Sequence, residues 1–207
     1  MRDFLSCRVA APLSCAFNVQ RARGEGTRLT AGSGQHALGA ARTGDATRAR
    51  AEVDTLAQIE AQLADLGGAQ AQWSTQVKIQ RLAASAWAAR AVGESARAMQ
   101  LAKEAADLED VTEKHPVTPG PILPARELEG DLLLDLGHPR EALAAYEASL
   151  VRQPNRGRSL LGAARAAQAA GDRAVARDWY RKLSRLMAPG DGTWPELREA
   201  RRALGYR

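Results

Sequence analysis

Aromatic residues supply only 4% of this 207-residue chain, and cysteine occurs twice. So small an aromatic supply excludes one deep core, and the apolar surface has to be spread along the molecule. The two cysteines, Cys7 and Cys15, form no CxxC pair. They offer neither a disulfide framework nor a thiolate metal site, and they place the chain in a reducing compartment, the cytoplasm. No apolar run approaches the roughly 18 residues needed to cross a bilayer. A phosphate-binding glycine loop, an HExxH helix and a nucleophile elbow are missing too. The chain therefore reads as a non-enzyme with no cofactor.

Alanine and arginine dominate what is present, a composition suited to long helices in close contact. Four glycines share one context. Gly44, Gly93, Gly137 and Gly171 each end an Ala/Leu-rich helical stretch, and each has an alanine five positions on: Ala49, Ala98, Ala142 and Ala176. The last two glycines are 34 residues apart, and the units around them align in detail. Gly137 matches Gly171, Ala142 matches Ala176 and Tyr146 matches Tyr180; Pro154 closes the first unit and Pro189 the second, one residue late. Each landmark has a reason. The turn between antiparallel helices needs a residue that tolerates positive φ. Alanine lets the helices approach, tyrosine fills the space between them, and proline stops the second helix.

A period of about 34 with helix–turn–helix content is that of a tetratricopeptide array. The predicted fold is all-α: an α-α superhelix, a solenoid of antiparallel helix pairs with a capping helix. Atypical, longer pairs occupy 36–112, and four prolines from Pro116 make 113–121 an extended connector. Repeat units follow at about 123–156 and 157–190, with helices over 122–136, 139–152, 156–170 and 172–187. Asn155 and Asp172 are expected N-caps. Thr193-Trp194-Pro195-Glu196 reads as a capping box opening a last helix over about 193–204.

Residues 1–34 carry no helical period and read as a disordered or non-native segment. Arg8 and Asp3 spoil a secretion signal, and Pro12-Leu13-Ser14-Cys15 only partly fits a lipoprotein cleavage site, the alternative to a cytoplasmic location. From His36 the sequence enters directly at the end of a repeat helix.

The net charge of +5 hides an asymmetry. Residues 51–151 carry eight Arg/Lys against sixteen acids, and residues 152–207 carry thirteen against five. Opposed charges of this kind favour head-to-tail self-association. A basic end also attracts nucleic acid, but Arg152, Arg156, Arg165, Arg173, Arg177, Arg181 and Arg185 read as scattered around helices, without an aromatic RNA-binding motif.

The cluster Glu109, Asp110, Glu113 and His115 has metal-binding residue types. Its acids stand at a helix C-terminus, the unfavourable end of the dipole, which points to a solvated or ion-paired surface instead. Trp73, Trp87 and Trp179 are expected in the core or in packing between repeats. The first helix of each pair should line a concave face, and there Arg126, Arg158 and Arg165 are the candidate partner-binding residues, because guanidinium forks suit carboxylates.

The stretch AADLEDVTEKHPVTPGPILPARELEGDLLLDLGHPREALAAYEASLVRQPN, residues 105–155, resembles a functionally uncharacterised group of bacterial tetratricopeptide-repeat proteins, in their C-terminal part. That resemblance implies an all-α solenoid and a protein or peptide partner. The functional expectation is a scaffold binding its partner in a concave groove; the alternatives are a piece of a longer repeat protein without independent activity and, less favoured by the residues, a metal-dependent activity using Glu109–His115.

Overall fold

The computed structural model describes residues 34–66, 68, 70–112, 123–188 and 194–206. The segment 1–33 with Cys7 and Cys15, the connector with Glu113, His115 and Pro116, and Gly67, Pro189 and Thr193 lie outside the described residues.

The described residues form nine helices and no strand. They are α1 (34–42), α2 (Ala46–Leu66), α3 (Gln70–Ala91), α4 (Ser95–Val111), α5 (Ala125–Asp135), α6 (Pro139–Arg152), α7 (Gly157–Ala169), α8 (Arg173–Met187) and α9 (Pro195–Leu204). From α3 onward each helix packs on the one before it, and α5 also touches α3 and α7. The odd-numbered helices therefore form one layer of a solenoid and the even-numbered ones the other.

The turns repeat as the sequence does. Gly44, Gly93, Gly137 and Gly171 have φ of 84°, 85°, 81° and 84°. After each, the next amide reaches back to the previous helix: Asp45 to the Ala40 carbonyl at 2.9 Å, Glu94 to Ala89 at 2.9 Å, His138 to Leu133 at 2.8 Å and Asp172 to Ala167 at 3.0 Å. This is the six-residue closure of a Schellman motif, which needs the left-handed glycine at its centre. The alanine five residues on is buried in all four cases. Its small side chain sets the close approach that builds a core mainly from alanine and leucine.

Tyr146, on α6, is the largest fully buried side chain. Its ring lies between Gly130 of α5 and Gly162 of α7. A Cβ added at Gly130 would stand 2.9 Å from the ring, and one at Gly162 closer still. Two mid-helix glycines, unfavourable by propensity, are thus required by packing.

Several local expectations are corrected. Trp87 is buried and Trp179 half-buried, but Trp73 is 39% exposed near the start of α3 and belongs to no core cluster. Asn155 is not a cap. The residue at the N-cap of α7 is Arg156, whose side chain turns to the Glu127 carboxylate instead. Asp172 does cap α8, accepting from the Val175 amide at 3.0 Å. At α9 the N-cap is Trp194, without a side-chain cap bond. Helix α5 begins at Ala125, three residues later than 122; Glu109 of α4 caps it from outside, its Oε2 accepting from the Ala125 amide at 2.7 Å.

Candidate binding groove

The inner faces of α1, α3, α5 and α7 enclose a groove of about 870 Å³ that runs on to Met187 and Trp194. Trp87, Leu134 and Leu161 supply apolar surface along it, and Arg42, Arg90, Arg158 and Arg165 supply charge. Helical spacing puts them there, since residues three or four apart share a face.

Asp131 is the hub of the groove. Tyr146 donates to its Oδ1 at 2.7 Å through the gap left by the two glycines. Arg42 of α1 donates to its Oδ2 at 3.0 Å, with the guanidinium 4.3 Å above the Trp87 ring. Arg158 of α7 also holds Asp131 and reaches Glu127 at 3.1 Å. Burial, with the Asp131 carboxylate beside it, pushes the Tyr146 phenol well above its ordinary value, so it stays a donor.

Below this hub Glu127 is 0% exposed. Arg156 donates to it at 2.6 and 3.0 Å and Ser159 at 2.6 Å. A fully buried carboxylate is tolerable only with this many donors. Ser159 also meets Ser149 at 3.1 Å, tying α6 to α7.

One repeat further, the pattern returns with its charges exchanged. Arg165 stands 34 positions after Asp131. It makes a bidentate pair with Glu199 of α9 at 2.9 and 2.6 Å. The Tyr180 hydroxyl lies 3.1 Å from the same carboxylate. Tyr146–Asp131–Arg158 is thus matched by Tyr180–Glu199–Arg165. The hydrogen bond from Arg165 holds the Glu199 carboxyl below its ordinary value, while burial pushes the Tyr180 phenol up to about 12.

The three candidate arginines therefore separate. Arg158 and Arg165 line the groove; Arg126 does not. Arg126 donates to Asp110 at 3.1 Å, to Asp107 at 2.8 Å and to Glu129 at 2.7 Å, clasping α4 to α5. Burial opposes its charge, but these carboxylates more than offset that and raise its pKa. Asp110 also pairs with Arg152 of α6 at 3.3 Å. Glu109 and Asp110, considered as metal ligands from sequence, are thus engaged by the Ala125 amide and by two guanidinium groups. His138 caps α6 by position and meets Glu141 at 3.2 Å, and His36 lies 3.8 Å from Glu52.

Sequence reasoning passed over Gly130 and Gly162, which make room for Tyr146, and Arg42 and Glu199, which bring the first and last helices into the network. The mid-helix glycines were the available signal, since each costs helix stability and so calls for a packing reason.

Neither a family model nor a curated protein sequence matches the chain. Among solved structures, it is similar to a kinesin light chain-like protein of Podosopora anserina built of nearly identical TPR-like repeats. The match has a TM-score of 0.56 at 20% identity and covers 84% of this chain and 85% of that one. The fold is a TPR-like α-solenoid. Arrays of this fold commonly serve as protein-interaction scaffolds.

Proposed function

We propose that the chain is a protein-interaction scaffold that holds an extended segment of a partner protein in the groove between α1 and α9. The observation that carries this reading is the state of the groove's walls. They are already cross-linked by Arg42, Arg158 and Asp131 and by Arg165 and Glu199. A pre-formed site leaves most of the ordering cost to the ligand. Trp87, Leu134, Leu161 and Trp194 offer apolar contacts, and Trp194 is more than half exposed at the rim. A guanidinium carries five N–H donors, so Arg158 and Arg165 keep donors for partner carboxylates. Arg126, with three carboxylate partners outside the groove, fits a structural role better.

The same reading takes the chain as a cytoplasmic relative of the uncharacterised bacterial group it resembles. No described helix is long and apolar enough to cross a membrane.

The test is affinity capture from lysate with the full chain, its Arg158→Ala/Arg165→Ala variant and an Arg48→Ala control on α2, all checked for equal helicity. A partner retained by wild type and control but lost from the groove variant supports the reading. Equal capture by all three removes it, and recovery of the chain itself would favour self-association.

A further inference from the structure

The C-terminal edge of the solenoid concentrates a chemistry that is sparse elsewhere among the described residues. Along the odd-numbered helices arginines hold carboxylates: Arg42, Arg90, Arg158 and Arg165 do so in the groove. On α8 and α9 that pairing largely stops. Arg173, Arg177, Arg185, Arg198 and Arg201 are exposed and make no ion pair or side-chain hydrogen bond with another described residue. Arg181 pairs with Asp178, with both side chains more than half exposed. Arg202 is also exposed and lies near enough to Glu199 to help lower its pKa.

Their placement is ordered. Arg173, Arg177, Arg181 and Arg185 recur every four residues and so run along one flank of α8, over about 18 Å of helix. The buried side of α8 carries Ala176, Tyr180 and Leu183. Helix α9 packs on α8 and adds Arg198, Arg201 and Arg202, and Tyr206 is exposed just beyond its end. The arginines that read as scattered in the sequence thus form, on α8, a single row. A solenoid end needs a polar outer face, but polarity does not require the excess of one sign seen here, eight Lys/Arg against three acids on α8 and α9.

We propose that the α8–α9 edge binds nucleic acid through its phosphate backbone, without reading sequence. Guanidinium groups match phosphate geometry in a way ammonium groups do not, and arginine supplies seven of the eight exposed cations of α8 and α9, the eighth being Lys182, which lies over the Trp179 ring. An anionic membrane fits less well. Surface-lying helices bury an apolar face in lipid, and the apolar face of α8 is already buried in the protein. Tyr206 is placed to stack on a base.

The test is fluorescence anisotropy of a labelled single-stranded RNA and a mixed-sequence DNA duplex against the full chain, from about 50 to about 300 mM salt. Three proteins are compared: wild type, Arg173→Gln/Arg177→Gln/Arg185→Gln, and Arg48→Gln/Arg50→Gln/Arg140→Gln, which removes equal charge from exposed positions elsewhere. Equal thermal melts establish that each is folded. Wild type should bind with an affinity that falls steeply with salt. The edge variant should lose about tenfold or more at low salt, with the log–log salt slope on RNA shallower by about 2. The control should stay within about threefold. No binding at low salt overturns the proposal. So does equal loss in both variants, or binding to phosphatidylserine vesicles with none to nucleic acid.

Discussion

Tyr146 is where packing and electrostatics meet. Its ring needs the two missing side chains at Gly130 and Gly162, and its hydroxyl needs Asp131. Gly162→Ala should therefore destabilise the fold by about 1–3 kcal/mol, because the ring is held by its hydrogen bond and cannot retreat. Gly130→Ala, with a longer approach of 2.9 Å, should cost less. Thermal melts of the two variants check both the sign and the order. A gain in stability at Gly162, as helix propensity alone would give, would mean the ring is not seated there. Glu127 makes a second residue-scale case. Glu127→Gln removes the charge that Arg156 and Arg158 hold and should cost about 2–3 kcal/mol by chemical denaturation. The partly exposed arginines keep that cost below the upper range for buried pairs.

At the scale of elements, the helices end where glycine and the caps dictate. Asp172→Ala should cost about 1 kcal/mol, since its carboxylate accepts from the Val175 amide. Asn155→Ala, exposed and outside the cap, should change stability by less than about 0.5 kcal/mol. The contrast shows what was legible. Asp172 follows the glycine that fixes its place, so its role could be read from sequence. Asn155 lies in the turn before α7, where Arg156 takes the cap position and reaches Glu127 on another helix, and no local pattern reports that. Trp73 failed for a related reason. It has helical spacing like Trp87, but which helix stands opposite is a property of the stack. The glycine–alanine landmarks were readable because each is fixed by a local turn; the groove's ion pairs were not, because every one joins different helices. Between α7 and α9 the pair Arg165–Glu199 also predicts a pH dependence. Its hydrogen bond holds the Glu199 carboxyl below the ordinary 4.5, so the stabilisation is present above that pH and is lost as pH falls through the lower folded value. Glu199→Gln should flatten part of the acid limb of Tm against pH. Glu129 acts in the opposite sense: burial raises its pKa, and its protonation on acidification relieves that cost.

At the scale of the molecule, two surfaces divide the charge. In the groove, the arginines are mostly neutralised by the chain's own acids, and recognition there depends on apolar contacts and leftover donors. At the α8–α9 edge, they largely lack carboxylate partners. The central claim, that a partner lies along the groove, is tested most directly by position-specific photocrosslinking. A photoreactive side chain replaces Met187 or Leu134, both half-buried on the groove, or Gln58, exposed on α2 outside its lining. The account predicts one discrete adduct with the same partner from Met187 and Leu134, and none from Gln58. The same adduct from Gln58, with none from the groove positions, would contradict it.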